Sequence, residues 1–216
     1  MPDDRRPARQ VHDERVDLPT SSTEELHTGY VMDLVAESVS LGAGGTVRRE
    51  FVRHPGAVAV VALDDAERVA LLRQYRHPVR AHLWEVPAGL LDVPGEPLQH
   101  AAARELTEEA DLRAATWHTL VDFFTTPGGS DERIRIFLAR DLSVVPEADR
   151  YQREAEEIGM ELAWVPLADA VAAALAGRIH NPSTVTGVLA AQAARDGGWS
   201  ALRPADTPWQ PAWHRD

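Results

Sequence analysis

A chain of 216 residues, 44% hydrophobic and 26% charged, has the makeup of an ordinary globular protein with room for a real core. Its 34 acidic against 22 basic residues give a formal charge of −12, which excludes a general nucleic-acid binder with a basic face. The lack of cysteine excludes a disulfide framework, a thiolate metal site and a cysteine nucleophile, and no apolar run approaches the ~20 residues of a membrane span.

The first ten residues, MPDDRRPARQ, carry charge but no apolar core of a signal peptide, so a cytoplasmic protein is the expectation. Residues 1–24 are polar and without periodicity, and read as a flexible arm or a strand in need of a partner. Residues 25–54 form a β region: Tyr30 to Val39 is strand-like, Gly42 to Gly45 is a turn, and Val47 to Val52 alternates, as in a hairpin. Ala57 to Leu63, AVAVVAL, is a continuous apolar run, the pattern of a strand buried on both faces. A turn at Asp64 to Arg68 leads into a return strand, Val69 to Tyr75, and Leu83 to Pro87 is a further short strand.

A helix follows, with Pro97 suited to its first position and Ala110 near its end. It carries Glu105, Glu108 and Glu109, at i, i+3 and i+4. At ~100° per residue Glu105 and Glu109 lie only ~40° apart, on the side of Leu98 and Ala102. A surface helix keeps carboxylates off its apolar side, so these face a partly enclosed site. Carboxylates so close repel one another unless a positive group sits among them, and a hard divalent cation such as Mg²⁺ is the natural neutraliser.

Beyond the helix, Trp117 to Phe124 is followed by a loop from Thr125 to Glu132, and Arg133 to Arg140 alternates like a half-buried strand. Pro146 to Gly159 is acidic and irregular, and Glu161 to Val165 is a strand. Leu167 to Ala176 is a helix closed by Gly177, and Asn181-Pro182 caps another, Ser183 to Ala194. These elements place one domain at residues 55–196, with an irregular tail of tryptophans and prolines at 197–216.

The stretch from Gly89 to Leu112 resembles the Nudix box, with Gly89, Glu96, Arg104, Glu105, Leu106, Glu108, Glu109 and Leu112 at its fixed positions. Six residues rather than five separate Gly89 from Glu96, and Asp111 stands where the box has Gly; Asp tolerates the left-handed backbone such a position needs. The Gln74-Tyr75-Arg76 and Trp84 to Asp92 segments, with Pro127 fifteen residues past Leu112, look like the ADP-ribose pyrophosphatase branch of that family. The resemblance implies an α/β fold, an α/β/α sandwich around a mixed sheet, and Mg²⁺-dependent hydrolysis of ADP-ribose to AMP and ribose 5-phosphate. Mn²⁺ in place of Mg²⁺, another nucleoside diphosphate sugar or dinucleotide as substrate, and a non-catalytic ligand-binding regulator stay open.

By the resemblance, Glu105, Glu109 and the Ala88 carbonyl hold metal, with Glu108 either a ligand or an ion-pair partner of Arg104. Arg104 orients Glu105 or Glu85, and Glu96 either belongs to the same cluster or favours a helix N-terminus for its own charge. The base falls on the acidic loop at Glu157, with Glu156 beside it. Arg76 meets adenine or phosphate, Glu85 the adenine amino group, and Ser130 with Glu132 the terminal ribose. A homodimer with exchanged N-terminal strands is the implied assembly, the alternative for Tyr30 to Val52 being an intramolecular hairpin.

Overall fold

The computed structural model describes residues 12–152 and 159–209. Its centre is β4 (Ala57–Ala62), all six residues of which are buried, as the apolar run predicts. Successive side chains of a strand point to opposite faces, and β4 uses both. Ala57, Ala59 and Val61 enter one core with Leu167, Ala170, Val188 and Ala191. Val58, Val60 and Ala62 enter a second core with Ala101, Ala102, Leu106 and Ala110. The first set of partners lies on α2 (Leu167–Leu175) and α3 (Pro182–Asp196), the second on α1 (Leu98–Ala110). This is the expected α/β/α sandwich.

The central sheet is mixed. Its order is β11 (Arg203–Pro204), β8 (Leu112–Phe124), β9 (Arg133–Val144), β4 and β7 (Ala88–Leu90). Only β4 with β9 is parallel. At Gly187 of α3 a Cβ would stand 2.9 Å from a Val61 methyl, so the missing side chain lets the helix lie directly on β4. A second sheet has the order β10 (Glu161–Pro166), β5 (Arg68–Arg76), β6 (Ala81–Glu85). The return strand expected beside β4 therefore crosses to another sheet, and only the isolated Leu63–Val69 bridge joins the two runs.

The N-terminal sheet is antiparallel: β1 (Thr20–Thr28), β2 (Asp33–Ser40), β3 (Thr46–Arg53). The hairpin expected between Tyr30 and Val52 is β2 and β3, with Tyr30 left fully exposed in the preceding turn. β1 starts inside the stretch read as an arm, and β2 is the partner it needed. The sheet joins the sandwich where Val52 donates its N–H to the Gly129 carbonyl at 2.9 Å and accepts from the Asp131 N–H at 3.1 Å.

The chain does not stop packing at Gly197-Gly198. β11 adds to the edge of β8 opposite His118 and Thr119, and Trp209 is 7% exposed. The buried Arg135 explains this. Its guanidinium binds Asp122 through Nε at 2.7 Å and Nη2 at 2.9 Å, and Nη1 donates to the Thr207 carbonyl. Arg203 adds a second guanidinium to Asp122 at 2.9 Å, and the Trp209 ring covers Arg135. A tail that read as irregular closes over a charge the sheet had buried.

Candidate active site

Helix α1 begins one residue later than expected. Pro97 is the N-cap, with extended ψ of 139°, and its carbonyl accepts the His100 N–H at 2.8 Å. The helix ends at Asp111, in the left-handed region at φ 54° and ψ 36° as anticipated, and its N–H returns to the last turn. Between these ends Glu105 and Glu109 face inward, 9% and 8% exposed.

Each buried carboxylate rests on the strand that precedes the helix. The Glu105 carboxylate lies against Gly89, so closely that a Cβ there would overlap it. Glu109 accepts the Ala88 N–H at 2.9 Å. The glycine at the start of the box is thus a cradle: any larger residue would displace a carboxylate.

The positive charge expected among these acids is supplied in part by Arg104. Its Nη1 reaches Glu105 at 2.6 Å and Glu108 at 3.3 Å. Nη2 reaches Glu96 at 3.2 Å, and Asp92 lies at 4.0 Å. Arg104 therefore joins Glu105, Glu108 and Glu96. It does not meet Glu85, one of its two expected partners, because Arg76 already holds that carboxylate. The Arg76–Glu85 pair is bidentate, at 2.9 and 2.7 Å, with Glu85 almost wholly buried and Arg76 partly exposed. Two residues expected to meet substrate separately are found bound to each other.

Charge and burial compete at this cluster. Burial would lower the Arg104 pKa, but the hydrogen bond to Glu96 and the charges of Glu105, Glu96 and Glu108 raise it well above its ordinary value. Burial pushes the Glu105 carboxyl up; Arg104 opposes the rise, while Glu108 and Asp92 add to it. A carboxylate held charged at such a cost is relieved by a cation, and the donors are all hard oxygens, the kind Mg²⁺ prefers. On that chemistry the residues fit a divalent metal. Among the described residues no three acidic or histidine side chains converge on one point.

Ser130 and Glu132 lie in the loop between β8 and β9. The Ser130 hydroxyl accepts the Glu132 N–H at 3.0 Å, and Glu132 accepts the Thr125 hydroxyl at 2.6 Å. His54, which sequence reasoning passed over, donates its N–H to Asp131 at 2.8 Å and places Nε2 3.8 Å from Glu132. Ser130 lines an open cavity of about 1000 Å³ with Arg49, Arg53, Asp131 and Arg133. Arg104 and Glu108 line a smaller one of about 470 Å³ with Arg113 and Trp117. Neither cavity is lined by Arg76, Glu85 or Glu132. The acidic-loop candidates Glu156 and Glu157 lie outside the described residues.

The chain is similar to known proteins over the range that holds this site. The NUDIX domain model covers residues 53–185, well over half the chain. An ADP-ribose pyrophosphatase of Mycobacterium tuberculosis is 46% identical, over 89% of this chain and 91% of its own length. An ADP-ribose pyrophosphatase of Bacillus subtilis is 37% identical, over 76% and 87%. A methanol dehydrogenase activator of Bacillus methanolicus is 36% identical, over 78% and 89%. The fold resembles a crystal structure of an ADP compounds hydrolase, with a TM-score of 0.70 at 21% identity, covering 87% of this chain and 98% of that one. With buried carboxylates on one helix, a glycine cradle beneath them and a domain match spanning both, the chain belongs to the NUDIX family.

Proposed function

We propose that this chain is a Mg²⁺-dependent ADP-ribose pyrophosphatase. Water is added across the diphosphate, one P–O bond of the bridge is broken, and AMP and ribose 5-phosphate leave. The observation that carries the reading is the pair of buried α1 carboxylates set on Ala88 and Gly89, in a chain 46% identical to a protein of that activity. Relatives named ADP-ribose pyrophosphatase from two bacteria support the substrate.

A diphosphate repels an incoming nucleophile, so its charge has to be screened and a water activated. The divalent cation supplies that chemistry when bound. Glu105 and Glu109, with Glu108 and the Ala88 carbonyl, are our ligand candidates. Arg104 orients Glu105 and Glu108 through its Nη1. Arg76, held in place by the buried Glu85 carboxylate, presents its planar guanidinium to the nucleotide. Ser130 and Glu132 are assigned to the ribose end. Glu157, or Glu156 beside it, is proposed to take the proton from water, and this rests on sequence position alone.

We also propose a homodimer. β1 is exposed along its whole length, and Tyr30, Met32 and Leu34 around the β1–β2 turn are exposed apolar residues. Light scattering on the purified protein is expected to give twice the chain mass; a monomer overturns this part alone. No helix among the described residues is long and apolar enough to cross a membrane.

The deciding assay incubates purified protein with ADP-ribose and Mg²⁺. Equal amounts of AMP and ribose 5-phosphate are expected, abolished by chelation. No turnover at micromolar enzyme overturns the reading.

A further inference from the structure

The main chain that supports the two buried carboxylates lies where the protein changes sheet. β6 ends at Glu85 in one sheet and β7 begins at Ala88 in another, so Val86 and Pro87 form the crossing. A crossing loses its ladder partners. Val86 is 2% exposed, so water is no substitute for its N–H. Pro87 has no N–H to give, and its carbonyl is taken by the Val60 N–H at 2.8 Å.

The Val86 N–H is donated to the hydroxyl of Thr184 at 2.9 Å, a contact between residues 98 positions apart. Thr184 is fully buried in the first turn of α3. Its hydroxyl has one proton, which goes to the Asn181 side-chain oxygen at 3.1 Å. That oxygen also caps the helix by accepting the Thr184 N–H at 2.9 Å. Asn181 thereby fixes the hydroxyl rotor and leaves its lone pair for Val86. One residue past Pro87, the Ala88 N–H holds Glu109; one residue before Val86, Glu85 holds Arg76.

We infer that Thr184, oriented by Asn181, is a positioning residue that sets residues 85–88 beneath the α1 carboxylates and so tunes cation binding from the opposite helical layer. The inference rests on the reading of Glu105 and Glu109 as metal ligands. Hydrogen-bonding partners behind a ligand commonly control metal affinity by about 10–100-fold. Thr184→Val keeps the shape, removes the acceptor and orphans the Val86 N–H.

The test titrates wild type and variants with Mn²⁺, counting free ion by electron paramagnetic resonance, and follows amide exchange at Val86 and Ala88. Thr184→Val is expected to weaken Mn²⁺ binding by about 10–100-fold and speed exchange at both amides, while Thr184→Ser restores both. Asn181→Ala, which frees the hydroxyl without deleting it, is expected to lose affinity by a smaller factor, and Asn181→Asp to retain it. Wild-type Mn²⁺ affinity in Thr184→Val, with only a lowered Tm, overturns the inference. If Thr184→Val does not fold, unchanged affinity in Asn181→Ala overturns it. If wild type itself binds no Mn²⁺, the metal reading fails, and unchanged Ala88 exchange in the variants then overturns the positioning role.

Discussion

Two of the clusters of arginine with carboxylate among the described residues are built to opposite ends. At α1 one guanidinium, Arg104, faces four carboxylates, Asp92, Glu96, Glu105 and Glu108, and its side chain is 31% exposed. At the β8–β9 edge of the central sheet two guanidiniums, Arg135 and Arg203, share one carboxylate, Asp122, and Arg135 is 2% exposed. The first cluster has negative charge in surplus and an open side. The second has positive charge in surplus, and closes it with the Thr207 carbonyl and the face of Trp209. Having an arginine among acids therefore says little about function. The sign of the surplus and the way it is closed separate a site poised for a cation from a structural fastening.

The largest effect expected from breaking this contrast is at Glu109. Glu109→Gln keeps an oxygen to accept the Ala88 N–H but removes the charge. Losing one ligand interaction of several kcal/mol lowers turnover of ADP-ribose by about 1000-fold. Tm stays near wild type, and a fully active variant means the α1 cluster is not the site. In the second cluster Asp122→Ala does the reverse. It strands a buried guanidinium at a cost of about 3–5 kcal/mol in urea unfolding, while kcat of the protein that remains folded is kept. Equal loss of kcat and stability in that variant would erase the distinction between the clusters.

Gly89→Ala comes next. The added Cβ displaces the Glu105 carboxylate, and about a 100-fold fall in kcat is expected at a Tm drop of a few degrees, corresponding to about 2.7 kcal/mol of barrier. The smallest effect is on pH dependence. Burial raises the Glu105 pKa above 4.5 in the folded protein, so the folded state holds this proton more tightly than the unfolded chain does. Its contribution to stability is present below pH 4.5 and is lost as pH rises through the raised value. Tm measured across that window is expected to fall less in Glu105→Gln, and wild type is expected to recover the loss when Mg²⁺ is added.

The α1 cluster was legible in the sequence because its parts are local. Glu105, Glu108 and Glu109 lie within one and a half turns, and the left-handed end at Asp111 follows from residue type. β4 was legible because six buried residues in a row leave few alternatives. The second cluster was not, because Asp122 and Arg203 stand 81 positions apart and nothing local marks either as buried. Of the two partners expected for Arg104, Glu105 is met and Glu85 is not, for a related reason. Arg76 and Glu85 sit on adjacent strands of one hairpin, and that register is set by pairing rather than by spacing along a helix. Thr184 read only as part of a helix start; its partner, Val86, is supplied by tertiary contact.

The single parallel pairing of the central sheet has a consequence for how the chain is made. β4 pairs with β9 from Ala57 and Ile134 onward, about 77 positions apart. At about 5–20 residues per second on the ribosome, β4 waits roughly 4–15 s for the strand that completes it. Through that interval an apolar hexamer without charge or proline has no sheet partner on that side, the composition from which aggregates nucleate. The acidic excess of the chain opposes such association, and slowing translation between β4 and β9 is expected to lower the yield of folded protein.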